Sequence, residues 1–285
     1  MNSIKKVRSS KPGRTRSIIQ FSVFIFVFLI SIGHWMAEKG LVIPFIPEVS
    51  LHAICPFGGV VTIYEFVASG TFIQKIHSSS FILMILGAIV AVLFGPIFCG
   101  YICPFGTFQE WIGKIGRKIF HKKYNTFVPK KLDNLLRYLR YVVLAMVIYQ
   151  TATTAKLVFE SVDPYYALFN FFTGEVAIGA YVMLGITMIL SLFVERPWCK
   201  YLCPYGAFLG LFNKIRIFKI HRNVSTCISC KKCDKACPMN IEVSNIDTVT
   251  NHQCISCHIC LSDNICPIED TVIITSKKEG VSIEN

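Results

Sequence analysis

The chain has 285 residues, enough for one or two domains. Its composition, with 53% hydrophobic and 16% charged residues, is too apolar for an ordinary soluble domain. The formal net charge of +12 does not indicate a nucleic-acid partner, because the basic residues lie between and beyond the apolar runs, as they do in the cytoplasmic segments of membrane proteins.

The N terminus predicts a basic cytoplasmic arm followed by an uncleaved membrane span. Residues 1–16 carry six Lys or Arg and no acidic residue. Residues 17–36 form an apolar run of about 20 residues, which is long enough to cross a bilayer. A cleaved signal peptide is the alternative. It is disfavoured because no small-residue cleavage site follows, and Trp35 suits an interfacial anchor.

Further apolar runs predict three more spans. These spans are residues 81–98, 141–155 and 176–194. Residues 41–70 are apolar but interrupted by prolines and glycines, which predicts an outer loop with a short interfacial or re-entrant helix near residues 60–68. Residues 108–120 are amphipathic and predict a helix lying on the membrane surface.

Four spans place both termini on the same side of the membrane. The segments assigned to the outside, residues 37–80 and 157–175, contain only Lys39 and Lys75. Because Lys and Arg concentrate in cytoplasmic loops, this distribution places both termini in the cytoplasm. We therefore expect a multi-pass protein of the inner, cytoplasmic membrane with the lipid bilayer as its surroundings.

A repeat with a period of 100 residues relates the two halves of this region. Each copy contains a C-x3-C-P motif with aromatic and glycine neighbours, and each follows a span that runs from outside to inside. The cysteines of the two copies are Cys99, Cys103, Cys199 and Cys203. The repeat predicts two equivalent two-span halves, related by an axis along the membrane normal.

The spacing of each cysteine pair favours metal ligation. In a helix, residues four apart share a face with Cβ atoms about 5–6 Å apart, whereas a disulfide requires about 3.5–4.5 Å. The proline after each second cysteine predicts a helix end or kink. We expect the four thiolates to hold one further iron–sulfur centre at the inner membrane boundary. Buried packing cysteines and a transient thiol–disulfide role are the alternatives.

The C-terminal stretch contains C-x2-C-x2-C-x3-C-P, the bacterial ferredoxin run that binds a [4Fe–4S] cluster, followed by a second such motif. In two-cluster ferredoxins the fourth cysteine of each run ligates the other cluster. The first cluster is therefore assigned to Cys227, Cys230, Cys233 and Cys266. The second cluster is assigned to Cys254, Cys257, Cys260 and Cys237.

The second motif departs from the ferredoxin pattern. Five residues, 261–265, separate Cys260 from Cys266 where the pattern has three. The longer segment extends the reach of Cys266 towards the first cluster. Paired zinc sites and a disulfide framework are the alternatives. Zinc does not explain both Cys-Pro endings, and disulfides need an oxidising compartment.

The outer segments carry weaker signals. Cys55 lies in a Cys-Pro-Phe-Gly segment and is interpreted either as a buried loop thiol or as an outer relay or docking point for a redox partner. His34, His52 and His77 fall on the outer side. Only His34 lies in a span, which disfavours a bis-histidine haem. A quinone site that uses one of these histidines is a candidate.

Together these elements predict an all-α membrane bundle of four transmembrane helices, built from two pseudo-repeated two-helix halves. A C-terminal α+β domain of the bacterial 2[4Fe–4S] ferredoxin type follows. We assign residues 1–16 to the basic arm, residues 17–216 to the transmembrane domain with its two C-x3-C-P motifs, and residues 217–285 to the cytoplasmic ferredoxin-like domain.

The chain resembles the NapH/NosR-type membrane ferredoxins, which combine two C-x3-C-P motifs at membrane boundaries with a double-cluster ferredoxin tail. The resemblance covers residues 17–267 and includes both C-x3-C-P motifs and the eight tail cysteines. It implies electron transfer that links the cytoplasm or the quinone pool to a partner, often on the outer face. The outer segments are too short for the flavin-binding domain of the NosR type.

Two functions follow from these observations. The first is an electron conduit between a cytoplasmic donor or the quinone pool and a redox partner, such as an outer flavoprotein or a reductase. As such the protein is more consistent with an electron-transfer subunit of an oxidoreductase system than with a stand-alone enzyme. The second is a redox-sensing regulator or a metalloenzyme-maturation protein. A solute transporter is disfavoured, because the predicted spans contain almost no ionisable residues.

Overall fold

The computed structural model describes residues 12–39, 78–154, 158–171 and 176–276. This part of the chain is mainly helical, and its two strands form one small sheet. The predictions for residues 41–70, His52, Cys55 and His77 lie outside the described residues, as does most of the basic arm.

The described residues form long helices in the apolar segments and mostly shorter helices between them. They are α1 (Pro12–Glu38), α2 (Ser78–Phe94), α3 (Pro104–Phe120), α4 (Lys130–Leu136), α5 (Leu139–Thr154), α6 (Pro164–Phe169), α7 (Ile178–Ser191), α8 (Pro197–Tyr201), α9 (Pro204–Leu211) and α10 (Lys232–Ala236). The strands are β1 (Lys219–Arg222) and β2 (Val272–Thr275). Prolines begin α3, α6, α8 and α9, since proline fixes φ near its helical value and lacks an N–H that the first turn would leave unpaired.

A helix occupies each of the four predicted spans: α1, α2, α5 and α7. Among the described residues one helix, over Gly13–Gly33, is long and apolar enough to cross a bilayer. The apolar stretches Ile85–Phe94 and Ile178–Ser191 are shorter. The 14 residues of α7 extend roughly 21 Å, less than the hydrocarbon thickness of about 30 Å. The four-span bundle therefore stays a prediction.

Helix α3 contains the predicted amphipathic segment and packs between α1 and α7. Its Ile115 and Ile119 are exposed, whereas Gly113 and Gly116 are buried. A Cβ at Gly116 would collide with the backbone of Leu192, so the glycine permits close contact with the end of α7.

Aromatic side chains fasten α1 to α3. The ring of Phe24 in α1 lies 4.8 Å from Trp111 and 6.1 Å from Phe108, centroid to centroid, and 6.0 Å from Phe169 in α6. Such contacts add stabilisation beyond the buried area of the rings. The N-terminal helix is therefore an integral part of the helical region.

The tail that follows α9 combines a two-stranded sheet with short helical turns, the α+β arrangement that the sequence predicts. Strands β1 and β2 are antiparallel, and Lys219 pairs with Thr275. Below the sheet lies an apolar core that includes Ile220, Met239 and Val249. The small sheet thereby closes the two ends of the cysteine-rich stretch on each other.

The tail joins the helical region without a flexible connection. The backbone N–H groups of Ile217 and Phe218 donate to the carbonyl oxygens of Val92 and Leu93 at the end of α2, both at 2.9 Å. The rings of Phe94 and Phe218 stack with centroids 5.0 Å apart. The predicted domain boundary at residue 217 therefore lies at a point of contact between the two parts of the chain.

The contact between α3 and α7 can be tested with two glycines. Gly116→Ala should destabilise the protein by about 1–3 kcal/mol, because a Cβ there overpacks against the α7 backbone. The apparent Tm, measured by calorimetry in detergent, should fall by about 2–4 °C per kcal/mol. Gly185→Ala is the matched control, since a Cβ at Gly185 meets nothing within 4 Å. It should leave Tm unchanged or raise it, because alanine favours a helix interior over glycine.

Candidate iron–sulfur centres

The cysteines of the two C-x3-C-P motifs, here called the boundary cysteines, lie at junctions between helices. They are Cys99, Cys103, Cys199 and Cys203. Cys99 lies in a π-helical turn, Phe98–Ile102, and Cys103 is the N-cap of α3 with ψ of 111°. In the second copy Cys199 lies in α8 and Cys203 is the N-cap of α9, with ψ of 112°. The expectation that each pair shares one regular helical face is therefore wrong. The following proline excludes helical ψ at the second cysteine.

The two copies nevertheless give their second cysteines the same environment. The Gly106 N–H donates to Cys103 Sγ at 3.5 Å, and the Gly206 N–H donates to Cys203 Sγ at 3.3 Å. Hydrogen bonds from backbone amides to cysteine sulfur are among the interactions that tune iron–sulfur clusters. The expected helix ends at the two prolines are present, and they direct backbone donors at sulfur.

A buried glutamine connects the first half to the cysteine of the second. Gln109 Nε2 in α3 donates to Cys199 Sγ at 3.5 Å, and its Oε1 accepts the N–H of Trp198 at 3.1 Å. Gln109 is 1% exposed. Nothing in the sequence marks this role, because Gln109 lies in the basic segment of the repeat with no motif of its own.

The four boundary thiols converge within the helical region. Cys103 and Cys203 pack against the same apolar cluster, and Cys99 and Cys203 pack against a second one. Burial raises the pKa of Cys103 to about 12, and the neighbouring Cys199 adds to the rise. Burial also raises the pKa of Cys203, as do the other three thiols. Buried thiols that lie close together resist ionisation, because the thiolates would repel one another. They ionise readily when a bound metal or cluster supplies positive charge.

Two hollows in the tail gather the remaining eight cysteines. One hollow is lined by Cys227, Cys230, Cys233 and Cys266. The other is lined by Cys237, Cys254, Cys257 and Cys260. Each hollow thus brings together three cysteines of one motif and the last cysteine of the other, the grouping that crossed ligation requires. Ligation itself stays a prediction.

The longer segment before Cys266 is taken up by local turns. A short helical turn covers Ile259–Leu261, after which Ser262 accepts the N–H groups of Ile265 at 2.8 Å and Cys266 at 2.9 Å. The chain is therefore compacted, and Cys266 lies at the first hollow.

Both tail motifs use the same unusual backbone. Ser229 and Lys231 in the first motif have φ of 54° and 55°, and Ser256 and His258 in the second have φ of 48° and 58°. Left-handed φ is uncommon outside glycine. Its recurrence at equivalent positions bends each loop around its hollow. None of these four positions is a glycine, so the sequence gives no sign of the left-handed backbone.

The second tail hollow lies against the boundary cysteines. Cys99 and Cys199 pack against the apolar core of the tail that includes Cys254. A Cβ at Gly100 would lie 2.5 Å from the Ile255 carbonyl oxygen, so only glycine permits this approach. The first hollow lies at the surface of the protein, since its Cys230 is exposed to solvent. The three cysteine groups therefore form a series from the protein surface to the helical region.

A family of 4Fe-4S binding domains matches the chain twice, over residues 76–123 and 176–224, and each match contains one C-x3-C-P motif. The uncharacterized protein MJ0750 of Methanocaldococcus jannaschii is 32% identical over 202 residues, which are 71% of this chain and 79% of MJ0750. The ferredoxin-type protein NapH of Haemophilus influenzae is 29% identical over 55% of this chain and 54% of NapH. This chain belongs to the NapH/NosR-type ferredoxins.

Another relative connects the family with electron transport. YccM of Escherichia coli K12, named as a candidate electron transport protein, is 30% identical over 205 residues. That match spans 70% of this chain but 57% of YccM, less than two thirds of that protein's length. No solved structure matches the chain. The family membership and the matches to 4Fe-4S binding domains make this chain an iron–sulfur protein.

The donor set fits iron–sulfur clusters. Each group consists of four cysteines, the ligand number of a [4Fe–4S] cluster. In the described ranges, no three His, Cys, Asp or Glu side chains converge closely enough to hold one metal ion.

Buried cations lie near the boundary cysteines and the second tail hollow. Six buried cationic side chains are Arg16, Arg137, Arg140, Arg196, Lys200 and Arg216. The buried carboxylates of the described residues are Glu110, Asp133 and Glu195. The positive-inside pattern accounts for these cations in the sequence as ordinary loop residues, so nothing there marks them as buried.

Three of the buried arginines hold the tail through its backbone. Arg137 donates to the Met239 carbonyl oxygen at 3.0 Å, and Arg140 to that of His252 at 2.7 Å. Arg216 donates to the carbonyl oxygen of Val249 at 2.6 Å and to Ser256 Oγ at 2.9 Å. Arg216 also lies 3.9 Å from the sulfur of Cys254. The helical region therefore supplies positive charge to the rim of the second hollow.

Crossed grouping in the tail can be tested with two cysteines four positions apart. Cys237→Ala should remove the cluster of the second hollow and lower bound iron by about four per chain, because a cubane requires four thiolates. Cys233→Ala should instead remove the cluster of the first hollow. Iron analysis and electron paramagnetic resonance of anaerobically purified protein measure both. Identical spectra for the two variants would contradict crossed ligation.

Proposed function

We propose that this protein is a membrane-bound electron conduit with three [4Fe–4S] clusters, two in the tail and one on the boundary cysteines. The observation that carries this proposal is the contact of the boundary cysteines with the tail: Cys99 and Cys199 pack against the tail's apolar core, and Gly100 lies directly against Ile255 and Cys257 of the second hollow. A shared apolar core would keep the three cysteine groups near one another. When bound, each cluster supplies one-electron redox chemistry.

Two observations support a cluster on Cys99, Cys103, Cys199 and Cys203. The match to 4Fe-4S binding domains falls on residues 76–123 and 176–224, which contain these cysteines and exclude the tail motifs. The two copies also share a hydrogen bond, since the backbone N–H of Gly106 or Gly206 donates to the sulfur of the N-cap cysteine in each copy. A packing role for the cysteines accounts for neither.

Charge balance supports the same assignment. The described part of the chain buries six cations against three carboxylates, and one of these carboxylates, Glu195, pairs with the half-exposed Arg117. Burying an ion without a partner costs several kcal/mol. A [4Fe–4S] cluster with four thiolates carries a charge of about −2. Clusters in the second hollow and at the boundary would therefore offset the excess positive charge around them.

The protein's own contribution is burial, orientation and electrostatic tuning. Arg216 lies beside the sulfur of Cys254, and Gln109 donates to that of Cys199. The exposed first hollow is the site where a soluble redox partner would exchange electrons. We place the protein in the inner membrane with both termini in the cytoplasm, supported by the apolar helix over Gly13–Gly33 and the distribution of Lys and Arg. A quinone or a partner's cofactor completes the path across the bilayer.

The boundary centre predicts a specific iron content. Wild-type protein purified without oxygen should contain about 12 iron atoms per chain, and Cys103→Ala or Cys203→Ala should each contain about eight, because three thiolates do not complete the centre. Tail signals in electron paramagnetic resonance should remain. Cys55→Ala is the control and should keep all iron, since Cys55 lies in neither motif. Full iron content in both motif variants would contradict the third cluster.

Sustained electron flow separates a conduit from a regulator. In liposomes that contain a quinone, the protein should oxidise a low-potential dye over many turnovers. A redox sensor or maturation protein would stop after about three electrons per chain, one for each cluster. Oxidation of the dye, followed optically under anaerobic conditions, measures the difference. A reaction that ends at this stoichiometric limit would contradict the conduit and favour the regulatory alternative.

A further inference from the structure

Arg196 is a fully buried cation beside the boundary cysteines. Its guanidinium donates to the carbonyl oxygen of Cys99 at 2.6 Å and to the Glu110 carboxylate at 2.8 Å. A Cβ at Gly106 would lie 2.8 Å from the same guanidinium, and the Gly106 N–H donates to Cys103 Sγ. The positive charge therefore lies next to both cysteines of the first copy.

The backbone at Arg196 is strained. Its φ of 49° and ψ of 55° are left-handed, a conformation that disfavours residues with a Cβ. The equivalent residue of the first copy is Pro96, so the repeat supplies one arginine for the four cysteines. Strained residues persist where the surroundings hold them, and they cluster at functional sites. A packing role alone does not require an arginine in this conformation.

An ion triad fixes the charge of Arg196. Glu110 accepts hydrogen bonds from Arg196 and also from Arg16 in α1, the latter through both carboxylate oxygens at 3.0 and 2.5 Å. Burial alone would raise the pKa of Glu110, but the two guanidinium groups lower it to about 2, so it stays ionised. The Nε–H of Arg196 has no acceptor among the described residues. The triad thus retains a net positive charge and a free donor beside the cysteines.

We propose that Arg196 is a positioning residue that raises the reduction potential of the boundary centre, with Glu110 and Arg16 holding its charge in place. The inference rests on the proposed function, since it requires a cluster on the four cysteines. Reduction adds one negative charge to an already anionic cluster. A buried cation stabilises that charge strongly, because the surroundings screen it weakly. Net charge near a cluster is one determinant of its potential.

Variants of the triad should shift the potential in opposite directions. Arg196→Gln removes a positive charge and should lower the midpoint potential of the boundary centre. Glu110→Gln removes the partially neutralising carboxylate and should raise it. We expect at least a tenfold change in the ratio of reduced to oxidised centre at a fixed solution potential, or about 59 mV for one electron. Redox titration followed by electron paramagnetic resonance on the full-length protein measures it.

Charge rescue and a surface control complete the design. Arg196→Lys keeps the positive charge and should retain a higher potential than Arg196→Gln. Lys130→Gln removes an exposed cation, whose side chain is 88% exposed, and should leave the potential unchanged. If Arg196→Gln and Glu110→Gln both cause loss of the cluster, the midpoint potential is measured in Arg16→Gln instead. It leaves Arg196 in place and should lower the potential by a smaller amount.

The outcomes separate this inference from the proposed function. Shifts of the same sign in Arg196→Gln and Glu110→Gln, or no shift in either, would overturn the role of Arg196 while leaving the boundary centre intact. An unchanged potential in Arg16→Gln, when the other variants lose the cluster, would overturn it as well. Absence of the boundary signal from the wild-type protein would instead contradict the proposed third cluster.

Discussion

The burial of positive charge between the helical region and the tail is the constraint on which the rest of this structure depends. Each cation has lost most of its hydration and must find compensation within the protein. Asp133 compensates Arg137 and Lys200, at 2.5 and 2.7 Å, while Arg140 and Arg216 bind carbonyl oxygens of the tail. The tail therefore supplies the acceptors for two of these buried cations, and these hydrogen bonds join the two parts of the chain.

Much of this arrangement follows from the sequence, because its physical causes are local. Apolar runs placed the long helices, since an extended apolar stretch must be buried or face lipid. Cysteine spacing grouped the tail thiols, because two-residue gaps confine three of them to one loop. The buried charges could not be predicted. Arg196 and Glu110 lie 86 residues apart in sequence, and the composition of each segment makes either residue an ordinary surface group.

In the two boundary motifs the local backbone geometry differs from the predicted one. The spacing of the four cysteines predicts one group if residues four apart share a helical face. Each motif instead lies at a junction between two helices, because Pro104 and Pro204 begin new helices. That junction gives the N-cap cysteines backbone donors that an uninterrupted helix would have used in its own hydrogen bonds. The proline is therefore part of the site and not only its boundary.

The close approach at Gly100 bears on the kinetics of the tail. The Ile255 carbonyl lies where a side chain at Gly100 would stand, and Tyr101 Oη lies 3.1 Å from His258 Nδ1 in the same loop. A tail fastened in this way does not act as a swinging carrier that alternates between two docking positions. In the proposed conduit, electron exchange between the second hollow and the helical region would then be a first-order event that needs no collision. Such a step would not slow with solvent viscosity or dilution, and only encounters at the exposed first hollow would be limited by diffusion.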